Sequence, residues 1–371
     1  MKKTFILVSL SLFAGVCLFL LPVISHGQSA EMQKPEMIPV SVAGKGITFQ
    51  VGSDAFPNAS PVHKVILTND FSIGKTEVTN QQYADVLNYA LSKGYLDKEA
   101  MVAKGNKRGE ARGVSKSPQK YQDFTDEHSQ ITFVDGQFKP LPGKENFPVV
   151  EVTWNGAAFY ANMLSEIEGL TPLYNLDDWS CQVYGKTGYR LPTEAEWEYV
   201  AQFDDGRKYP WGDAQPDQSY ANIKREIKDP VEVATAAVCS LSPKGDSKLG
   251  VCDMAGNVAE FCNDWYNDSY FSPDEKIDPV GPGPSLYYYL PFFKEFRSAR
   301  VVRGGSFLLD PNYRKEYGVP FMIDSVMHEQ AVENSYRSYD ISGFSRQVEG
   351  FRVVKTVATE KTGAIFIPGQ R

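Results

Sequence analysis

Helical periodicity is confined to three short stretches of this chain, and this scarcity constrains its fold more than any other feature. The pair Thr79-x-x-Gln82 fits a capping box and predicts a helix over 80–91. The pair Thr193-x-x-Glu196 fits another and predicts a helix over 194–201. A third helix is expected over 156–166.

The remaining chain alternates short apolar runs with turn residues, and the longest irregular stretches cover 94–146 and 267–298. Loops of that length are uncommon in compact domains unless they bind something or are disordered. We predict one α+β domain over 46–357 with little regular secondary structure. A polar leader over 28–45 would precede it, and a tail over 358–371 would follow.

Composition limits the class of protein. Of 371 residues, 42% are hydrophobic and 13% aromatic, which is enough for a large core and argues against a disordered chain. The net charge of −8 argues against a nucleic-acid partner held through phosphate contacts. We therefore expect no nucleic-acid partner.

The N-terminus has the pattern of a secretory signal. Lys2 and Lys3 precede an apolar run over 5–24 that is interrupted only by two serines and a glycine. We expect residues 1–27 to be a signal peptide, with cleavage after Ala30 as the alternative. Left uncleaved, the same run would be long enough for an N-terminal membrane anchor. In either case we expect an exported protein that is periplasmic, on the cell surface or secreted.

Four cysteines would remain after cleavage, and in an exported chain an even count favours disulfides, here with three possible connectivities. Cys239 and Cys252 flank a turn rich in Gly, Pro and Ser, which favours their pairing. Cys181–Cys262 would follow by elimination. A redox-catalytic or zinc role is disfavoured because the chain has no C-x-x-C motif and no histidine at ligand spacing from these cysteines.

Five segments, in order, carry a family resemblance. They are Phe71-Ser-Ile-Gly-Lys-Thr-Glu-Val-Thr-Asn-Gln-Gln-Tyr83, Pro148-Val-Val-Glu-Val-Thr-Trp154, Tyr189-Arg-Leu-Pro-Thr-Glu-Ala-Glu-Trp-Glu-Tyr199, Asp253-Met-Ala-Gly-Asn-Val-Ala-Glu260 with Asp264-Trp-Tyr266, and Arg303-Gly-Gly-Ser306 with Gly350-Phe-Arg-Val353. Together they resemble the formylglycine-generating enzyme (sulfatase-modifying factor) family over nearly all of the mature chain. The resemblance implies a variant of the C-type lectin fold.

The acidic pair Glu194 and Glu196 could be a general acid–base pair. The capping box and the helix dipole account for carboxylates in a first helical turn without catalysis, so we favour a structural role.

The resemblance also implies calcium. Asp253 and Glu260 would be side-chain ligands, with Gly256 and Val258 as carbonyl ligands; these are hard oxygen donors of the kind that Ca²⁺ takes in irregular loops. Asn222 and Ile223 match the start of a second family calcium site, for which Asp229 is a further candidate. The expected cofactor is a structural Ca²⁺ that fixes loops.

The family chemistry needs a pair of copper(I)-binding cysteines shortly after the Gly-Gly-Ser motif, since soft thiolates suit that ion. The matching positions here are Leu309 and Arg314, and no cysteine follows Cys262. We therefore expect no copper and no formylglycine formation by the family mechanism. The iron-dependent branch of the family uses three histidine ligands, which the scattered His63, His128 and His328 do not match. A branch of oxidase-like proteins of siderophore maturation stays open.

Other relatives keep the fold for binding, and there the segment after Gly-Gly-Ser forms the binding surface. That segment is rich in Tyr, Arg and small polar residues here, a composition suited to recognition. The candidate ligand surface consists of Ser306, Tyr313, Arg314, Tyr317, Tyr336, Arg337, Tyr339 and Arg352. The sequence thus favours a non-catalytic protein that binds an envelope or extracellular protein or a glycan. The alternative is an oxidoreductase of the sulfatase-modifying or siderophore-maturation type with a non-cysteine site.

Overall fold

The computed structural model describes residues 32–42, 44–101, 109–116, 118–223, 234–284, 288–290, 295–308 and 329–357. Three α-helices occur in these ranges: α1 (Asn80–Ser92), α2 (Trp154–Ile167) and α3 (Glu194–Gln202). All three predicted helices are confirmed to within two residues at each end. Among the described residues, no helix combines the length and the apolar character needed to cross a bilayer.

Local capping explains where these helices begin. The Thr79 hydroxyl accepts from the Gln82 backbone N–H at 3.2 Å, and the Gln82 side chain accepts from the Thr79 N–H at 3.0 Å. Thr193 and Glu196 form the same reciprocal pair at 3.2 and 2.8 Å. Each box satisfies two N–H groups that a helix otherwise leaves without an intrahelical partner.

The strands are short. They are β1 (Met37–Val40), β2 (Ile47–Val51), β3 (His63–Leu67), β4 (Phe71–Gly74), β5 (Ala111–Arg112), β6 (Lys120–Gln122), β7 (Ile131–Val134), β8 (Gln137–Pro140), β9 (Gly188–Arg190), β10 (Ala259–Trp265), β11 (Lys276–Ile277), β12 (Tyr288–Leu290), β13 (Glu295–Arg297), β14 (Ala299–Arg303), β15 (Ser338–Ile341), β16 (Glu349–Gly350) and β17 (Val354–Thr356). Strand β1 lies within 28–45, so ordered pairing begins inside the segment that we interpreted as a leader.

Three sheets organise the domain. The first has the antiparallel order β1-β4-β17-β9, and the second has the order β15-β14-β10-β16, in which only β10 and β16 run parallel. The third has the order β11-β3-β2. The remaining pairs, β5-β6, β7-β8 and β12-β13, are two-stranded.

One large core joins these sheets around α3. Ile73 of β4, Val51 of β2 and Val301 of β14 belong to the same buried cluster as Trp197 and Val200 of α3. Because α3 is buried in this cluster, its polar first turn is also withdrawn from water, and those polar groups require partners inside the protein.

One of the two predicted disulfides is confirmed. Cys239 and Cys252 form a disulfide with their Cα atoms 5.2 Å apart. The predicted Cys181–Cys262 bond is wrong, because both thiols are free. Cys262 packs within the large core on β10, whereas Cys181 pairs its backbone with Tyr174 in an isolated bridge. The prediction by elimination failed because it assumed that every cysteine of an exported protein forms a disulfide.

Breaking the disulfide should destabilise the domain. Cys252→Ser opens a loop with a sequence separation of 13, and we expect it to lower the free energy of unfolding by about 2–4 kcal/mol. Denaturant titration of oxidised wild type and variant measures this difference. Cys181→Ser, at a free thiol, is the control, and equal losses in the two variants would contradict the assignment.

Candidate functional site

Two carboxylates of α3 contact arginines from distant parts of the chain. Glu194 accepts from Arg303 of β14 at 2.6 Å and from Arg337 at 2.7 and 2.8 Å. Glu198, one turn later, accepts from Arg303 at 2.8 Å. All four side chains are at most 5% exposed. These groups form a buried ionic network that ties α3 to β14 and to the segment before β15.

Glu196 belongs to a separate ion pair. Its two oxygens accept from Arg190 at 2.7 Å each, in addition to its capping bond with Thr193. Glu194 and Glu196 are therefore held by different arginines. Their arrangement supports the structural interpretation over an acid–base pair.

A second buried ion pair joins two of the residues predicted from the sequence. Glu260 accepts from Arg352 at 2.6 and 2.7 Å and from the Trp197 indole N–H at 2.9 Å. Arg352 also donates to the carbonyl oxygens of Gly74 and Cys252. Arg352 thereby links β4, β10 and the disulfide-bonded loop.

Two further carboxylates surround this pair, one of which sequence reasoning missed. Glu77 is not exposed, and its Oε1 atom has no hydrogen-bond partner. Burial, followed by repulsion from Asp253 and Glu260, raises the pKa of Glu77 well above its usual value. Burial likewise raises the pKa of Asp253 to about 6. Three carboxyl groups thus share one guanidinium, and the cluster has an excess of acidic groups.

The predicted calcium loop contacts the Gly-Gly-Ser segment. The Gly256 N–H donates to the Gly304 carbonyl at 2.9 Å, and the Phe307 N–H donates to Asn257 at 2.9 Å. Gly256 has φ +78°, and a Cβ there would lie 2.7 Å from the Asn222 carbonyl oxygen. That close approach explains the glycine.

Both predicted calcium segments therefore lie side by side. The Asn222 carbonyl accepts from the Asn257 N–H at 2.9 Å, and its side chain bonds to Ala234 and Asn257. Ile223 is buried beside Ala255 in a small cluster, and Val258 is buried as well. Asp229 lies outside the described residues.

Three members of the predicted ligand surface do not belong to a surface. Ser306 is not exposed and accepts from the Leu308 N–H at 3.2 Å. Arg337 and Arg352 are at most 1% exposed and are engaged in the ion pairs above. Their prediction as surface residues was wrong because sequence composition does not reveal that distant carboxylates neutralise these arginines inside the core.

Two tyrosines of that prediction lie among the described residues, and both pack against aromatic rings. Tyr336 packs edge-on against Phe56 with ring centroids 5.1 Å apart, and Tyr339 packs against Tyr266 at 4.6 Å. Both are partly buried against the core. Tyr313, Arg314 and Tyr317 lie outside the described residues, as does Leu309.

Burial disfavours the thiolate form of Cys181 and Cys262, the two free thiols among the described residues. Burial raises the pKa of Cys262 well above its usual value and that of Cys181 to about 11. The thiolate is the form that attacks or binds metals, and neither side chain forms it near neutral pH.

Asp264 lies beside the Glu194 network and gives it a pH dependence. Burial, then the nearby Glu194 charge, raises the pKa of Asp264 from 3.8 to about 8, although the Glu194 N–H donates to it at 3.0 Å. Between these two pH values the unfolded chain has released the proton and the folded protein keeps it. The free energy of unfolding should therefore fall with rising pH across this window, by at most about 1.4 kcal/mol per pH unit from this group.

Asp264→Asn removes this titrating group. The free energy of unfolding of the variant should therefore increase relative to that of the wild type as the pH rises from 5 towards 8. Urea titrations at several pH values measure this slope. Asp268→Asn, at an exposed aspartate shortly after β10, is the matched control. An unchanged slope in Asp264→Asn would contradict the assignment.

A family model described as the sulfatase-modifying factor enzyme 1-like domain matches residues 26–357. The chain belongs to this family. It is 30% identical over 323 residues to the formylglycine-generating enzyme of Thermomonospora curvata, which covers 80% of this chain and 91% of that protein.

Other relatives match less of their length. The formylglycine-generating enzyme of Streptomyces coelicolor is 34% identical over 194 residues, which is 50% of each chain. The hercynine oxygenase of Mycolicibacterium smegmatis is 27% identical over 78% of this chain and 59% of that protein. The match thus spans 50% of the Streptomyces coelicolor enzyme and 91% of the Thermomonospora curvata enzyme.

Solved structures show the same fold. Treponema denticola variable protein 1 superposes with a TM-score of 0.55 at 21% identity, covering 86% of this chain and 94% of that one. PvdO from Pseudomonas aeruginosa gives a TM-score of 0.52 at 20% identity, covering 87% and 95%. These matches confirm the predicted α+β, C-type-lectin-related fold.

Proposed function

We propose that this chain is an exported, non-catalytic member of the family that binds an envelope or extracellular protein or a glycan. The observation that carries the proposal is the state of its cysteines. Cys239 and Cys252 are joined, Cys181 and Cys262 have raised thiol pKa values, and no cysteine follows the Gly304-Gly305-Ser306 motif. A copper(I) site made of two thiolates would have no ligands after that motif.

The ionic networks fit a scaffold role. Arg303, Arg337 and Arg352 are each held by buried carboxylates, so none of them is available to a substrate without breaking an ion pair. Breaking such a pair inside a protein is strongly unfavourable. These arginines hold loops in place. Residues 307–328 would supply the contacts to a partner.

A binding experiment tests this role. The mature chain, residues 28–371, is immobilised and exposed to an envelope extract, beside the triple variant Tyr313→Ala/Arg314→Ala/Tyr317→Ala. The variant Tyr95→Ala, at an exposed tyrosine elsewhere, is the matched control. We expect saturable retention of a partner by wild type and control and its loss in the triple variant. Equal retention by all three, or none by any, would contradict the proposal.

An oxidoreductase with a non-cysteine site is the second candidate. It is favoured by the similarity to an enzyme from Thermomonospora curvata over 91% of that protein's length. The buried state of Ser306, Arg337 and Arg352 weighs against it, because none of these side chains offers a reactive atom to solvent.

Structural calcium belongs to the same proposal. Three features favour a hard divalent cation: Glu77 has an unpartnered buried oxygen, the charges of Asp253 and Glu260 repel its carboxylate, and these three carboxyl groups outnumber the single guanidinium of Arg352. Glu77 and Asp253 would provide the carboxylate oxygens, while Arg352 and Trp197 occupy most of the acceptor capacity of Glu260. A bound cation would neutralise the excess acidic charge and fix the loop before β10.

Calcium should therefore raise the melting temperature of chelator-treated protein, since a ligand that binds only the folded state stabilises it by mass action. Differential scanning fluorimetry with and without millimolar calcium measures the shift. We expect Glu77→Gln to lose most of it and Glu36→Gln, at an exposed glutamate, to keep it. Identical melting temperatures of the wild type in chelator and in calcium would overturn the calcium proposal.

A further inference from the structure

A histidine and two carboxylates meet between the β6–β7 loop and the segment before α2. Asp126 and His128 lie on the loop between β6 and β7, and Glu151 lies just before α2. One ligand atom from each of the three lies within 4.8 Å of the others. The His128 Nδ1 atom is 2.7 Å from Asp126 Oδ1, a hydrogen bond whose proton a metal ion would replace, and 4.0 Å from Glu151 Oε1.

These separations suit a metal ion. An ion 2.0–2.2 Å from each ligand places neighbouring ligand atoms about 3.0–3.5 Å apart, between the two distances found here. One imidazole nitrogen with two carboxylate oxygens is a donor set for first-row divalent ions such as Zn²⁺ and Mn²⁺.

The backbone fixes Glu151 in its position. Its N–H donates to the Arg346 carbonyl at 3.0 Å, and its own carbonyl accepts from the Asp123 N–H at 3.2 Å. The Glu151 side chain is only 7% exposed, whereas His128 and Asp126 are 18% and 17% exposed. The cluster is therefore closed on the Glu151 side and open to an entering ion on the other.

A second observation points to a missing cation. Arg346 is committed to Asp340, to which it donates at 2.6 and 3.1 Å. Next to them, Glu349 is wholly buried, and its Oε1 atom lies 3.9 Å from the Arg346 Nε atom that Asp340 already engages. Burial raises the pKa of Glu349 well above its usual value, and repulsion from Asp340 and Glu151 adds to this effect. The acidic groups around Glu151, namely Asp123, Asp126, Asp340 and Glu349, thus outnumber the cations Arg346 and Lys120.

We propose that Asp126, His128 and Glu151 bind a divalent first-row metal ion. The ion would join the β6–β7 loop to the turn before α2, and through Arg346 to the loop before β16. It would be separate from the calcium cluster, which uses Glu77 and Asp253.

Zinc and manganese titrations of chelator-treated full-length mature protein test the proposal. Competition with a chromogenic chelator measures zinc affinity, and the Mn²⁺ paramagnetic resonance signal measures free and bound manganese. We expect one equivalent bound in the wild type. His128→Gln and Glu151→Gln should each weaken binding by more than the roughly 10–100-fold that loss of an outer partner of a ligand causes.

Glu127→Gln is the matched control, because Glu127 is exposed and lies between the two loop ligands without belonging to the cluster. It should bind like the wild type. His128 is partly exposed, so its variant should remain folded, which circular dichroism checks. No binding of either ion by the wild type, or equal affinity in wild type and His128→Gln, would overturn the proposal.

Discussion

Replacing Glu194 with Gln is expected to lower the free energy of unfolding by about 3–5 kcal/mol, the range measured when one partner of a buried ion pair is removed. Glu194 accepts from both Arg303 and Arg337. A neutral amide of the same size would leave Arg337 without its carboxylate and would direct N–H donors at two guanidinium groups. The loss is electrostatic, because the volume of the side chain is unchanged.

Denaturant titration measures the effect, with Glu36→Gln as the control at an exposed ion pair, where the expected change is within about 1 kcal/mol. Burial opposes ionisation of Glu194, yet Arg337 and Arg303 hold its pKa below the usual value. Its contribution should therefore be present above the pKa of the unfolded chain and be lost as the pH falls through the lower folded pKa. A Glu194→Gln variant as stable as the control would contradict the network.

Replacing Arg352 with Met should have an effect at least as large. Arg352 is the cation that Glu260, Asp253 and Glu77 share, and it also satisfies the carbonyls of Gly74 and Cys252. Removing it leaves three carboxyl groups without a cation. We expect a loss of about 3–5 kcal/mol in the absence of calcium.

A double-mutant cycle with Glu260→Gln isolates the pair. The double variant should be less destabilised than the sum of the single variants, because the second substitution removes the charge that the first left unpaired. Strict additivity of the two losses would show that Glu260 and Arg352 do not interact, against the geometry described above.

The parts of the fold that depend on local sequence were predictable. The capping boxes at Thr79 and Thr193 involve residues three apart, so both helix starts could be located from the sequence. The family resemblance then supplied the overall fold, which five short motifs in order specify more tightly than composition does. The Cys239–Cys252 bond was also accessible, because a short turn separates the two cysteines.

The parts that depend on distant contacts were not predictable. Glu194 meets arginines 109 and 143 positions away, and nothing near it in sequence indicates that these side chains are buried. Arg337 and Arg352 looked like surface residues because arginine usually is one. Glu77 went unnoticed because its role arises from Asp253 and Glu260, which only the fold brings close.

The same reasoning explains the incorrect disulfide. The Cys181–Cys262 prediction followed from the number of cysteines, and that number does not indicate whether two residues lie close together in the fold. Cys262 faces the core on β10, where a buried thiol behaves as a small apolar side chain.

The most direct test of the central claim is an anaerobic copper(I) titration of the mature protein against a strong chelator, followed by aerobic incubation with a cysteine-containing sulfatase peptide. The Thermomonospora curvata relative serves as the positive control. The account predicts no stoichiometric copper(I) binding and no oxidation of the peptide cysteine by this chain. One tightly bound equivalent of copper(I) with turnover of the peptide would contradict it.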